Sequence, residues 1–192
     1  YDAATGTVTL PEGMEIDLGS VAKGYAGQLA AQMLREHGVQ SALLNLGGNV
    51  QTVGAKPDGS PWQIGIKDPQ GEDAMMVLSV EDQAVVTSGG YERYFEQDGQ
   101  TYWHIMDPST GHPADSGLIS VTIVGDEGVV CDGLSTALFV MGLEKAADLW
   151  AQSGDFEAVF VTASGEVYIT EGLQDRFALT EQYADTPVSV IE

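Results

Sequence analysis

Apolar residues recur at helical spacing from Val21 onward, with Tyr25, Leu29 and Met33 on one stripe, and predict a helix over 21–37. His37-Gly38 ends it in the manner of a glycine stop. Before it, residues 1–17 read as two short strands around a turn at Pro11-Glu12-Gly13. After it, Ser41 to Leu46 predicts a strand that breaks at Asn45-Leu46-Gly47-Gly48-Asn49 and resumes over Val50 to Val53. The paired glycines suit a backbone approached by a ligand, and equally a plain bulge or hairpin turn. From Trp62 to Ile105 the pattern predicts a meander: Trp62 to Ile66, Met75 to Val80, Ala84 to Thr87, Tyr91 to Phe95 and Thr101 to Ile105. Connections this short imply antiparallel pairing. Val121 to Val124 is a further strand, followed by a helix from about Gly128 to Met141, the break Gly142, and a third helix over Leu143 to Gln152. Phe156 to Thr162 and Val167 to Thr170 close the fold as strands around Ser164-Gly165, and the polar tail after Thr180 reads as peripheral.

The start of the first helix is chemically unusual. In Asp17-Leu18-Gly19-Ser20-Val21-Ala22-Lys23-Gly24-Tyr25, Ser20 reads as the N-cap, and the first turn carries a lysine where the helix dipole favours an acid. Unpaired N–H donors and an ammonium placed together suit an anion, and phosphate is the natural one. The plain alternative is that Lys23 extends to solvent while Gly19 and Gly24 ease packing.

Composition narrows the partners. The chain has 192 residues, enough for one domain with a real core, and 43% of them are hydrophobic. Its mean hydropathy of -0.03 fits a globular protein. No apolar run reaches the length of a spanning helix. Seven Lys and Arg against 29 Asp and Glu give a net charge of -22, which argues against nucleic acid or an anionic membrane surface as partner. Solvation explains most such acids; divalent metal would explain only those clustered at defined spacing. The single cysteine, Cys131, excludes an internal disulfide and any cysteine-based zinc site, and reads as a small buried hydrophobe. The chain opens at Tyr1-Asp2 without a targeting segment, as expected of a stretch from within a larger protein.

Two further stretches carry candidate chemistry. Asp132 and Thr136 lie four residues apart on one helix face, with Ser135 at its edge. A carboxylate and a hydroxyl one turn apart are hard oxygen ligands that Mg²⁺ accepts, although a helix acid followed by a back-bonding Thr has the same spacing. His104 is delivered by an apolar strand just before the turn Met106-Asp107-Pro108-Ser109-Thr110-Gly111, where it can act as a base near neutral pH or serve as a hydrogen-bonded structural histidine. Thr87-Ser88-Gly89-Gly90 places a hydroxyl and two glycines at a strand end, as a phosphate contact or an ordinary turn would. His37 and His112 have no neighbours at metal-ligand spacing, and there is no Walker, Rossmann or Gly-x-Ser-x-Gly pattern.

Taken in order, DLGSVAKGY at 17–25, LLNLGGNV at 43–50, PWQIGIKDP at 61–69, VVTSGGYERYF at 85–95, HIMDPSTGHP at 104–113 and CDGLSTALFVMG at 131–142 resemble the ApbE family of flavin transferases. The resemblance implies a single α/β domain with a largely antiparallel sheet covered by the helices at 21–37 and 129–152, similar to the family's T-fold-like architecture. It further implies a Mg²⁺-dependent enzyme that binds FAD, cleaves its pyrophosphate, transfers FMN to a Thr or Ser hydroxyl of a target protein and releases AMP. By position, Asp17 and Lys23 match contacts to FAD, and Ser20 matches a metal ligand through its backbone carbonyl. Asp132 and Thr136 match side-chain metal ligands, and Ser135 sits where some relatives have an acidic one. His104 matches a catalytic histidine, with Asp132 as the alternative base; Met106 matches a flavin contact, and Ser88 and Gly89 match nucleotide contacts. Family members resemble longer proteins with a preceding segment that grips the flavin, and their parents resemble membrane-tethered lipoproteins working outside the cytoplasm. Weak FAD affinity is therefore expected of this chain alone. An FAD pyrophosphatase releasing free FMN, or a non-catalytic flavin-binding module, are the competing expectations.

Overall fold

The computed structural model describes residues 1–91 and 94–192. Its centre is a seven-stranded sheet. In sequence order its strands are β1 (Ala42–Leu46), β2 (Asn49–Val53), β5 (Ala84–Gly89), β10 (Leu118–Gly125), β11 (Glu157–Thr162), β12 (Val167–Thr170) and β14 (Val188–Ile191), and they lie in that same spatial order. Every pairing in it is antiparallel except the last, β12 with β14. Three helices, α1 (Ala22–Glu36), α2 (Gly128–Met141) and α3 (Leu143–Ser153), accompany the sheet: α1 packs on β2 and α2, α2 lies across β5 and β10, and α3 packs on α2. A smaller sheet, β13 (Phe177–Leu179), β4 (Ala74–Val80) and β3 (Trp62–Lys67), shares a core with Val50, Val85 and Val159 of the main sheet through Ile64, Ile66, Met76 and Leu78. Two short hairpins complete the set, β6 (Tyr94–Gln97) with β7 (Gln100–Trp103) and β8 (Met106–Asp107) with β9 (His112–Pro113).

Local chemistry explains the helices. Gly38, at φ +82°, lets the Val39 N–H reach the Leu34 carbonyl at 3.0 Å and its own N–H reach that of Arg35 at 3.0 Å, a Schellman closure that needs a residue free of Cβ strain. Gly142, at φ +81°, separates α2 from α3 in the same left-handed range. Cys131 is buried, and burial pushes its thiol up to about 12, as befits a small hydrophobe rather than a nucleophile.

The structure corrects several expectations. Residues 1–17 form no strands; Asp2 and Thr7 make one isolated bridge, although the turn at Pro11 stands, with the Met14 N–H on its carbonyl at 3.1 Å. The stripe of Tyr25, Leu29 and Met33 faces outward, and α1 instead buries Gly24, Gly27 and Ala31, because its small residues allow close approach to α2. The meander from Trp62 to Ile105 is not one sheet: after β4 the chain turns through Glu81 and Gln83 and enters the main sheet as β5. The strand expected over Tyr91 to Phe95, and the motif around it, include Glu92 and Arg93, which lie outside the described residues. The polar tail is built in: β14 extends the main sheet, and the Tyr183 hydroxyl donates to Asp68 at 2.8 Å while its ring packs on the core.

Candidate active site

A turn rather than a side chain starts α1. Asp17 folds back so that its Oδ1 accepts the Gly19 N–H at 2.6 Å, and the Leu18 carbonyl accepts the N–H groups of Val21 and Ala22 at 3.0 and 2.9 Å. The N-cap is therefore Val21, one residue later than expected, and no side chain of the cap residue bonds the turn. Ser20 is displaced from the capping role into the turn before it.

The missing cap comes from α2. Asp132 Oδ2 accepts the Gly24 N–H at 2.7 Å across 108 residues of sequence, so a carboxylate from one helix satisfies the first turn of another. Asp132 is 4% exposed, and burial raises its carboxyl above the ordinary range against the opposing pull of the Gly24 N–H, the Lys23 charge and the Lys23 N–H. The carboxylate therefore sits in a desolvated place, supported by a helix end and a cation.

Around this contact lies a cavity of about 460 Å³. Asp17, Ser20 and Lys23 line it from the start of α1, Asp132 and Thr136 from α2, Ser88 and Gly89 from the end of β5, and His104 and Met106 from the chain after β7. Four separate stretches of sequence thus contribute to one concave surface. Lys23 also reaches the turn between β1 and β2, its Nζ lying 3.4 Å from the Gly47 carbonyl. His104 is exposed at the cavity, and Met106 is 47% exposed. Gly89 has no room for a side chain, since a Cβ there would fall 2.2 Å from the Tyr91 ring.

Ser135 stands apart. It is fully buried, its hydroxyl donates to the Asp132 carbonyl at 2.9 Å and lies 2.7 Å from that of Ser88, and it does not line the cavity. The Thr136 hydroxyl lies 3.2 Å from Ser88 Oγ and 3.4 Å from the Asp132 carbonyl, so the hydroxyls of β5 and α2 form one short network beneath the acid. Among the described residues no cluster of three or more His, Cys, Asp or Glu could hold a metal. The cavity offers hard oxygen donors from Asp17, Ser20, Ser88, Asp132 and Thr136, a kind of donor that fits Mg²⁺ completed by water and phosphate oxygens better than zinc.

The sequence reading missed Gln51 and Gly27 behind the site, and gave Gly24 only a packing role and Asn49 only a place in a turn. Gly24 and Gly27 lie three residues apart on α1, and Asn49 and Gln51 are polar positions in a strand whose five residues are all buried. The available signals were small residues at helical spacing, which mark a close crossing, and two amides alternating within a short strand.

Comparison with known proteins places the arrangement. The model of the family described as ApbE family matches residues 2–160. The FAD:protein FMN transferase of Klebsiella pneumoniae is 41% identical over 180 residues, which cover 92% of this chain and 55% of that protein. That of Treponema pallidum is 40% identical, with 88% of this chain and 50% of that protein covered. The crystal structure of the ApbE protein from Thermotoga maritima superposes with a TM-score of 0.84 at 38% identity, covering 92% of this chain and 58% of that one. The chain thus spans about half the length of these curated relatives.

Proposed function

The chain belongs to the ApbE family, and from that premise we propose that it contributes the metal and pyrophosphate site of a Mg²⁺-dependent flavin transferase. The reaction takes FMN from FAD to the hydroxyl of a Thr or Ser in a target protein. The acceptor oxygen bonds to the phosphorus on the FMN side, the bridging P–O bond breaks, and AMP leaves with the electron pair of that bond. One observation carries the reading above all: Asp132, held on the N-terminal turn of α1, shares a single cavity with Lys23 and His104.

Each residue has work consistent with its place. Lys23 and the first turn of α1 face the charge that gathers on the departing phosphate, the use of a cation and backbone dipoles that best lowers such a barrier. Asp132, Thr136 and the Ser20 carbonyl would hold Mg²⁺, which supplies charge neutralisation at the pyrophosphate. His104, exposed at the cavity, accepts the acceptor's proton, since Asp132 would be engaged by the metal as well as by the Gly24 N–H. Asp17, Ser88 and Gly89 line the nucleotide side, and Met106 offers an apolar contact to the flavin. Ser135 serves through Ser88 and the Asp132 carbonyl.

FAD and a protein acceptor are the proposed partners, and nucleic acid is not, given the net charge of -22. Among the described residues no helix is long and apolar enough to cross a membrane. An extracytoplasmic, lipid-anchored parent is proposed from the family resemblance, and fractionation of the natural protein tests it. For the reaction, FAD and Mg²⁺ are supplied with and without an acceptor protein, and AMP and protein-bound FMN are quantified. Mg²⁺-dependent AMP release with covalent FMN supports the reading. Free FMN with the acceptor present identifies a pyrophosphatase instead, and release that persists without divalent metal sinks the metal site.

A further inference from the structure

Behind the Asp132 carboxylate, α1 and α2 meet backbone to backbone. A Cβ on Gly24 would fall 2.1 Å from the Gly128 carbonyl oxygen and 2.6 Å from the Cβ of Asp132. Distances of this kind leave no room for any residue but glycine. The side chain that both helices touch is Gln51 of β2: a Cβ on Gly128 would fall 2.1 Å from its Nε2, and one on Gly27 2.7 Å from its Cγ. A second tie, from Gln28 Oε1 to the Val129 N–H at 3.1 Å, fixes the same crossing further along.

Gln51 is an expensive choice for that position. It is 4% exposed, and its Nε2 donates at 3.2 Å to Oδ1 of Asn49, itself 1% exposed with Nδ2 unpartnered. An aliphatic side chain there would avoid the desolvation of one amide. The polar pair gains in return a fixed orientation, because the amide of Gln51 is held by its neighbour on the same strand while its stem fills the space between Gly27 and Gly128.

We propose that Gln51, oriented by Asn49, is a positioning residue that sets how closely α1 crosses α2 and thereby where the Gly24 N–H and Lys23 meet Asp132. Its metal-binding consequence rests on the flavin-transferase reading above; its effect on the Gly24 amide does not. Three sequence-distant parts, β2, the start of α1 and the start of α2, are adjusted to one another through a single side chain.

The test is a double-substitution cycle read by amide hydrogen exchange at Gly24 in the metal-free chain, and by Mn²⁺ affinity as probe of the site. Gln51→Ala is expected to speed Gly24 exchange and weaken Mn²⁺ binding by about tenfold or more, in the range seen for groups that orient metal ligands. Gly27→Ala should do the same, because its methyl group collides with the Gln51 stem. Combined, the two should return both readouts to within about threefold of the unsubstituted chain, since the new methyl occupies the space vacated. Amides of β11 serve as the control, and their protection should hold throughout. Additive losses, or Gly24 exchange unchanged in Gln51→Ala, overturn the proposal. Should Gln51→Ala not fold, Gln51→Met keeps the length of the strut but loses the amide held by Asn49, so Gly24 exchange should still quicken, and exchange unchanged in it overturns the proposal likewise. Absence of Mn²⁺ binding in the unsubstituted chain refutes the metal reading alone, and the Gly24 readout still decides the role of Gln51.

Discussion

The two faces of the main sheet are built for different ends. Toward the small sheet, Val50, Val85, Val159 and Val161 pack on Ile64, Ile66, Met76 and Leu78, and among the polar groups there the hydroxyls of Thr87 and Thr122 pair at 2.8 Å. Toward α1 and α2 the sheet presents Asn49, Gln51 and Ser88, and above them lies the buried carboxylate of Asp132. Each aliphatic side chain buried on the first face contributes about 1.5–3 kcal/mol. Each buried polar group on the second costs stability unless its partners compensate. A sheet can therefore carry a polar site on one side because aliphatic packing dominates the other.

Substitution can break the comparison at either face. Asp132→Ala removes the carboxylate that meets α1, and the rate of Mg²⁺-dependent AMP release from FAD should fall by about a thousandfold or more, with melting temperature little changed. A loss below tenfold would remove Asp132 from the chemistry. On the opposite face, Leu78→Ala empties space at a fully buried position, and denaturant unfolding should show a loss of about 2–5 kcal/mol. The Mg²⁺ concentration for half-maximal AMP release should not move in the folded fraction, and a shift there would mean that the two faces are not independent.

What the sequence disclosed divides along the same line. α2 and α3 were legible because their signals are local: apolar periodicity and the stop at Gly142. The stop of α1 at Gly38 was legible for the same reason. Its start was not, because the group that caps it comes from Asp132, and no local pattern reports a partner 108 residues away. Tyr25, Leu29 and Met33 misled in the opposite sense: periodicity locates a stripe, but the glycines on the other side decided which face approaches α2. The division of the meander between two sheets was hidden because β4 and β5 differ in their partners rather than in their pattern. Of the site, the residue types and their family positions were readable, while their convergence on one cavity, and the withdrawal of Ser135 from it, depend on how α2 lies against β5.

A smaller effect separates function from stability at Asp132 itself. Its folded carboxyl is raised by burial, so the folded state binds the proton more tightly than the unfolded chain does. The sign follows: stability is greatest below the unfolded carboxyl's ordinary range and is lost as pH rises through the raised folded value. At neutral pH the ionised group is a net cost in the metal-free protein. Asp132→Asn keeps an oxygen for the Gly24 N–H without the charge, and it should raise the metal-free melting temperature at pH 7 while abolishing Mg²⁺ binding. Calorimetric melts from pH 4 to 8 should also lose part of their downward slope; an unchanged slope would show that Asp132 is not the group responsible.

The finest test compares equal bonds on opposite faces. Ser88 Oγ lies 2.7 Å from Ser135 Oγ and 3.2 Å from Thr136 Oγ1, whereas Thr122 Oγ1 lies 2.8 Å from Thr87 Oγ1 on the other side of the same sheet. Ser88→Ala and Thr122→Val each remove one hydroxyl and should each cost about 1 kcal/mol in denaturant unfolding, the usual worth of such a bond. Only the first should alter the site. With Ser88 gone, the Thr136 hydroxyl keeps the Asp132 carbonyl at 3.4 Å and turns more freely. The Mg²⁺ needed for half-maximal AMP release should therefore rise by about threefold to fivefold in Ser88→Ala, the equivalent of that one bond, and stay unchanged in Thr122→Val. Equal shifts in both variants would trace the effect to sheet stability rather than to the orientation of Thr136.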